Sequence, residues 1–196
     1  MLAKKILIPI EVIPRHVHLS EKHWCEFFGE NYQPQIWRNL SQRNQVVFKE
    51  TLKIIGKKNT SLENFHIIGG WRKQTQVEVS EAEAKILGLK VPLRLSGRLI
   101  RSAGCQLVGP KGKIILKQGV IIPASHLHLN IKEAERLNLK QGQVVTLTLL
   151  VDKITKLENI IVRVHPSFRI SLHITQETAT QFWLNSGDKV FFEKEI

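Results

Sequence analysis

The strongest constraint on how this chain can fold is an internal repeat. The segments IPRHVHLSEKHWCEFF (13–28) and IPASHLHLNIKEAERL (122–137) follow one plan. In each, an Ile-Pro lies shortly before a His-x-His-Leu, followed by a capping residue and an amphipathic stretch. A second match, QVEVSEAEAKIL (76–87) with SLHITQETATQF (171–182), sets Glu78 opposite His173 and Ser80 opposite Thr175. The first pair lies further apart than the second, so the first copy carries extra residues. The polar, turn-rich segment NYQPQIWRNLSQRNQ is the natural place for them, which sets an inserted segment at about 29–49.

The elements between these landmarks are short. ILIPIEV, VVFKETLKII, KIILKQGVII, VVTLTLLV, NIIVRV and KVFFE are rich in β-branched residues. Turn sequences such as IIGG, VGPKG, LKQG and NSGD separate them. Many short strands at close spacing predict a mainly β protein, a sandwich or small barrels. Helices are predicted over 20–28, 80–87, 131–137 and 175–184, each opened by Ser, Thr or Asn at a capping position. MLAKKILIPIEV lacks a small-residue cleavage site and runs straight into the first motif, so it reads as a first strand and not as a signal peptide. No apolar run approaches the roughly 20 residues that span a bilayer.

The repeated histidines carry the chemistry. In a strand, residues i and i+2 point the same way, so His16/His18 and His126/His128 each aim two imidazoles at one point. Neutral imidazole is a common ligand for zinc and similar ions. One His-x-His pair is weak evidence, because isolated histidines are mostly core or surface residues. Two pairs at equivalent places in a repeat point to metal binding. Glu78 and His173 each precede a helix cap by two residues and alternate with apolar neighbours. They are expected to reach the end-of-strand space of a His-x-His pair, that of their own repeat or of the other; the bland alternative for Glu78 is a solvent-facing strand position. Three protein ligands with a fourth position open are common at catalytic zinc, so five His and one Glu suit two ions. Arg72, just after a Gly-Gly turn and six residues before Glu78, is suited to gripping a phosphate or carboxylate, although by itself it reads as a loop cation. His23, His66 and His165 have no repeat partner and read as packing or surface residues.

Cys25 and Cys105 form no paired motif, which argues against a disulfide framework and for a reducing compartment. The net charge of +12, from 29 Lys and Arg against 17 Asp and Glu, favours anionic partners. Its cations are scattered, as at Lys57/Lys58 and Lys111/Lys113, with no basic tail and no nucleic-acid motif, so a solvated basic surface is the simpler account.

Several of these segments, taken together, resemble the PduL-type phosphate propanoyltransferase (phosphotransacylase) family, associated with bacterial microcompartments. The resemblance rests on RHVHLS (15–20), LSQ (40–42), WRKQTQVEVS (71–80), SGRL (96–99), LVGPKG (107–112), GVIIPASHLHL (119–129), QGQVV (141–145) and LHITQETA (172–179), in one order over nearly the whole chain. It implies an acyltransferase that exchanges a short acyl group between coenzyme A and inorganic phosphate. It also implies two small β-barrels with short capping helices, a first over 15–123 and a second over 124–196 joined by the N-terminal strand 5–14, with the site between them. His16, His18 and Glu78 would hold one zinc ion; His126, His128 and His173 would hold a second; Arg72 would bind phosphate. A homodimer is usual in the family. The chain departs from the common pattern at Trp71, at Leu95 and Arg98, and at Phe48 and Lys49. Only about fifteen residues precede His16, which leaves little room for a microcompartment-targeting extension, so a cytoplasmic enzyme is expected, with no membrane or nucleic-acid partner. Two other classes remain open from sequence: a dinuclear metal hydrolase, and a non-catalytic nucleic-acid-binding protein with structural metal.

Overall fold

The computed structural model describes residues 6–150 and 154–192. Lys5 at the start of the expected first strand, Val151 in VVTLTLLV and the end of the expected second barrel at 193–196 lie outside the described residues. The chain divides into two units. One comprises 14–40 and 44–123, the other 1–13, 41–43 and 124–196.

In the first unit the strands are β2 (His16–His18), β3 (Ile36–Asn39), β4 (Val46–Ile55), β5 (Ser61–Ile68), β6 (Gln76–Glu78), β7 (Leu93–Arg94), β8 (Ala103–Gly109) and β9 (Gly112–Pro123). The order β4-β5-β2-β6-β9 is closed by β8, which pairs with both β9 and β4, giving a six-stranded ring with β3 and β7 attached at its rim. Closure depends on a tight approach at Gly104, where the β8–β9 register shifts. A Cβ there would lie 2.4 Å from the carbonyl oxygen of Leu116.

The second unit contains β1 (Ile6–Ile13), β10 (His126–Leu129), β11 (Val144–Leu150), β12 (Ile154–Val164), β13 (Ser171–Thr175) and β14 (Lys189–Phe192). These close in the order β1-β13-β10-β12-β11-β14. The protein is therefore mainly β, with two six-stranded barrels, and its N-terminal strand belongs to the barrel of the C-terminal half.

The two rings share one pairing scheme. The His-x-His strand (β2 or β10) lies antiparallel to the strand of the second matched motif (β6 or β13) and parallel to β5 or β12. Beyond β6 or β13 a parallel strand follows, β9 in one ring and β1 in the other. A parallel neighbour needs a long crossover, so each ring takes this strand from a distant part of the sequence.

Four short helices cap the rings: α1 (Glu21–Phe28), α2 (Glu81–Ile86), α3 (Ile131–Leu137) and α4 (Gln176–Gln181). Each starts directly after a strand of the repeated motifs, on Ser20, Ser80, Asn130 or Thr175, whose side chain accepts a backbone N–H of the first turn. The predicted 175–184 helix stops at Gln181, and Trp183 takes a left-handed φ of 55°. Each unit has its own core. That of the first is aromatic, with Trp24, Phe27, Phe28, Phe48 and Phe65; that of the second is almost wholly aliphatic.

Candidate metal centres

Strand alternation determines which side chains are free to do chemistry. Val17 and Leu19 enter the first core and Leu127 and Leu129 the second, so His16, His18, His126 and His128 take the opposite face. The same rule applied to β6 and β13 sends Val77, Val79, Leu172 and Ile174 inward and leaves Glu78 and His173 beside the histidines. Register completes the arrangement: His16 pairs with Glu78, and His126 pairs with His173. The result is two buried triads, His16/His18/Glu78 and His126/His128/His173, with the ligand atoms of each within 4.8 Å of one another.

The first triad has the dimensions of a cation site. His16 Nε2 lies 3.2 Å from His18 Nε2 and 3.4 Å from Glu78 Oε2, and His18 Nε2 lies 3.9 Å from Glu78 Oε1. Ligand atoms about 2.1 Å from a tetrahedral ion stand about 3.4 Å apart. The His16 tautomer is set locally: Nδ1–H donates to the carbonyl of Pro14 at 2.9 Å, which leaves the Nε2 lone pair facing the triad. His126 repeats this device, with Nδ1–H donating to Ala124 at 2.8 Å.

Burial keeps the His18, His126 and His128 rings neutral, the form that binds metal. It lowers His18 well below the ordinary value, with His16 and the Arg72 guanidinium adding to the effect. It pushes His126 down to about 3, helped by His173 and Arg163, and depresses His128 still further. Among the described residues, neither ring nitrogen of His128 has a hydrogen-bond partner, although the ring is buried and lies 4.1 Å from the Phe168 ring between centroids. A buried imidazole without partners is costly unless a cation takes its lone pair. Both donor sets fit a divalent ion of borderline softness.

Each triad is braced by polar side chains to which the sequence pattern assigns no role. Gln76, paired with His18, donates to Glu78 Oε1 and to Ser96 Oγ, and its own Oε1 accepts the Gly97 N–H at 2.7 Å. This bond network ties the SGRL loop to the first triad. At the matching position of the second ring is Ser171, which pairs with His128 and accepts a 2.7 Å hydrogen bond from Gln42 Nε2. Gln42 is itself buried, bonded to the backbone of Arg169 through both ends of its amide. Glu11, also buried, lies 3.0 Å from His173 Nε2 and accepts hydrogen bonds from Ser41. Burial raises its carboxyl pKa, but the bonds from His173 and Ser41 outweigh this and hold it below its ordinary value. A lone Glu in the otherwise apolar run ILIPIEVI is the one signal in sequence that points to it; Ser41 and Gln42 stand out only as part of the LSQ motif of the family resemblance, which assigns them no role.

Arg72 is exposed, with its backbone N–H bonded to Leu19, the residue after His18. Trp71 packs on Trp24 and Phe48, so two of the bulky departures from the common pattern fill one aromatic cluster beside it. The remaining histidines lie outside the triads: His23 bonds to Thr75, His66 stacks on Trp37, and His165 is exposed beside Ser167. Burial pushes the Cys105 thiol up to about 12, so it stays protonated and inert. Among the described residues, no helix is long and apolar enough to cross a membrane.

Known proteins are similar to this chain over most of its length. The sequence profile of the phosphate propanoyltransferase family matches residues 9–185. The phosphate propanoyltransferase of Thermotoga maritima is 35% identical, covering 97% of this chain and 91% of that protein. Those of Priestia megaterium (38% identical, 92% and 83%) and Lachnoclostridium phytofermentans (35%, 93% and 85%) are similar over nearly the same extent. The chain belongs to the phosphate propanoyltransferase family and is an acyltransferase enzyme.

Proposed function

We propose that the protein reversibly transfers a short acyl group between coenzyme A and inorganic phosphate, with one zinc ion on each triad. The observation that carries this reading is the His-His-Glu triad with Arg72 tied by its backbone N–H to Leu19, the residue after His18. A cation site beside an exposed guanidinium is a place for a small dianion. Arg72 would grip phosphate through paired N–H donors and hold one oxygen for attack, removing much of the entropic cost of bringing two reactants together. That oxygen bonds to the thioester carbonyl carbon, the C–S bond breaks, and acyl phosphate and the CoA thiolate result. When bound, zinc would supply a Lewis acid for the carbonyl oxygen and an acceptor for the departing thiolate, a soft ligand. The excess of Lys and Arg draws in the phosphates of coenzyme A.

The test is thiol release from propanoyl-CoA and acetyl-CoA, with and without phosphate, on protein of known metal content. Release should depend on phosphate and yield acyl phosphate. Arg72→Ala should lower it by about 100-fold or more while leaving both metal equivalents in place. Release of free acid independent of phosphate would instead identify a hydrolase.

A further inference from the structure

The two triads differ in charge. Glu78 gives the first a carboxylate, whereas the second is made of three imidazoles. In the second ring a carboxylate arrives from one strand further on. Glu11 lies on β1 in register with His173, on the face opposite the core residues Ile10 and Val12. The equivalent position of the first ring, next to Glu78 on β9, is Ile121. An acidic side chain is thus present at this position only in the ring whose triad lacks one.

Glu11 is also built in. It is 8% exposed, and burying a carboxylate is costly unless its oxygens are bonded. Ser41 supplies those bonds twice, with its N–H to Oε1 at 2.9 Å and its hydroxyl to Oε2 at 2.5 Å. Oε2 in turn faces His173 Nε2 at 3.0 Å. Ser41 and Gln42 belong to the short excursion of chain, Ser41–Arg43, that joins this unit, so the excursion braces both Glu11 and Ser171 beside the second triad.

We propose that Glu11 is the positioning carboxylate of the second metal centre: it orients His173, fixes its tautomer and offsets the charge of the bound cation, and Ser41 holds it there. An ionised carboxylate only accepts, so Nε2 of His173 carries the proton and Nδ1 is left for the ion. A carboxylate on the far ring nitrogen makes the imidazole a stronger donor to metal. This inference rests on the reading of the triads as metal sites.

The experiment is cobalt(II) titration of metal-depleted protein, followed by visible absorption, with zinc competition for affinity. The wild type should bind two equivalents. In the His18→Ala background, which leaves the second triad intact, Glu11→Gln should weaken the remaining site by about 10- to 100-fold and alter its d–d bands. Glu11→Asp should recover part of the loss. In a His128→Ala background, Glu11→Gln should leave the first triad's affinity unchanged. Equal affinity of the Glu11→Gln second site and its parent would overturn the role of Glu11 while leaving two metal sites standing. A wild type that binds fewer than two ions would overturn the metal reading and this role with it. Should Glu11→Gln fail to fold by circular dichroism, Ser41→Ala decides: a several-fold weakening confined to the second site is expected, and no change overturns the proposal.

Discussion

The two barrels solve one problem with different parts. Each begins from a His-x-His strand whose alternate residues enter a core, and each adds a third donor from the antiparallel neighbour in the same register. In the first ring that donor is a carboxylate, braced by Gln76 two residues away on the same strand. In the second it is an imidazole, with bracing from Glu11 on the next strand and from Ser41 and Gln42 on a distant loop. The first centre thus draws on three segments, 16–18, 76–78 and 96–97, and the second on four, at Glu11, at Ser41 and Gln42, at 126–128 and at 171–173. A duplicated fold need not keep duplicated chemistry: pairing geometry preserves the places, and the residues occupying them can diverge.

The sharpest way to break this comparison is to remove one ion at a time. His18→Ala and His128→Ala should each cost one metal equivalent by elemental analysis and leave the other. If both ions act on the reaction, each variant should lose about 10³-fold in activity, the rate equivalent of several kcal/mol of lost charge stabilisation. Near-normal turnover in either variant would make that triad structural and the two halves unequal in role as well as in composition.

A smaller effect separates the braces. Gln76→Ala strips the amide from Glu78 and frees the loop at Ser96, so the first ion should bind about 10-fold more weakly or worse, with the second unaffected. Gln42→Ala reaches the second triad indirectly, through Ser171 and Ser41, so its effect should be smaller. Chelator competition on the two variants checks the order. A larger loss in Gln42→Ala would mean that the distant loop governs metal retention more than the strand residue does.

What was legible in the sequence follows the same division. The histidine pairs, Glu78 and His173 stand out because strand alternation and the repeat are both local patterns, and the helix caps follow from Ser20, Ser80, Asn130 and Thr175. Ring closure is another matter. That β8 pairs with both β9 and β4, and that β1 enters the other half's barrel, are long-range choices that no local pattern encodes; the second of these came from the family resemblance. Gln42 stands in the LSQ motif, but its bracing role could not be read there, because a buried amide in a polar loop has the same composition as an exposed one until its partners, Ser171 and Arg169, are in place.

The smallest expected effect compares the helix starts that follow the third ligands. Ser80 caps α2 in a full capping box, with its hydroxyl accepting from the Glu83 N–H and the Glu83 carboxylate accepting from the Ser80 N–H. Its repeat partner Thr175 caps α4 on one side only, accepting the Thr178 N–H at 3.2 Å. Position 178 holds Thr where the first repeat has Glu, so the reciprocal bond is missing. Ser80→Ala should therefore cost about 1 kcal/mol in urea unfolding, and Thr175→Ala about half as much. Because Ser80 and Thr175 each lie two residues beyond a triad member, the fraying of the helix can also loosen Glu78 or His173. Were Thr175→Ala the more damaging, the strand end at His173 would depend on its helix more than the one at Glu78 does, and Gln76 would account for the difference by holding Glu78 independently of α2.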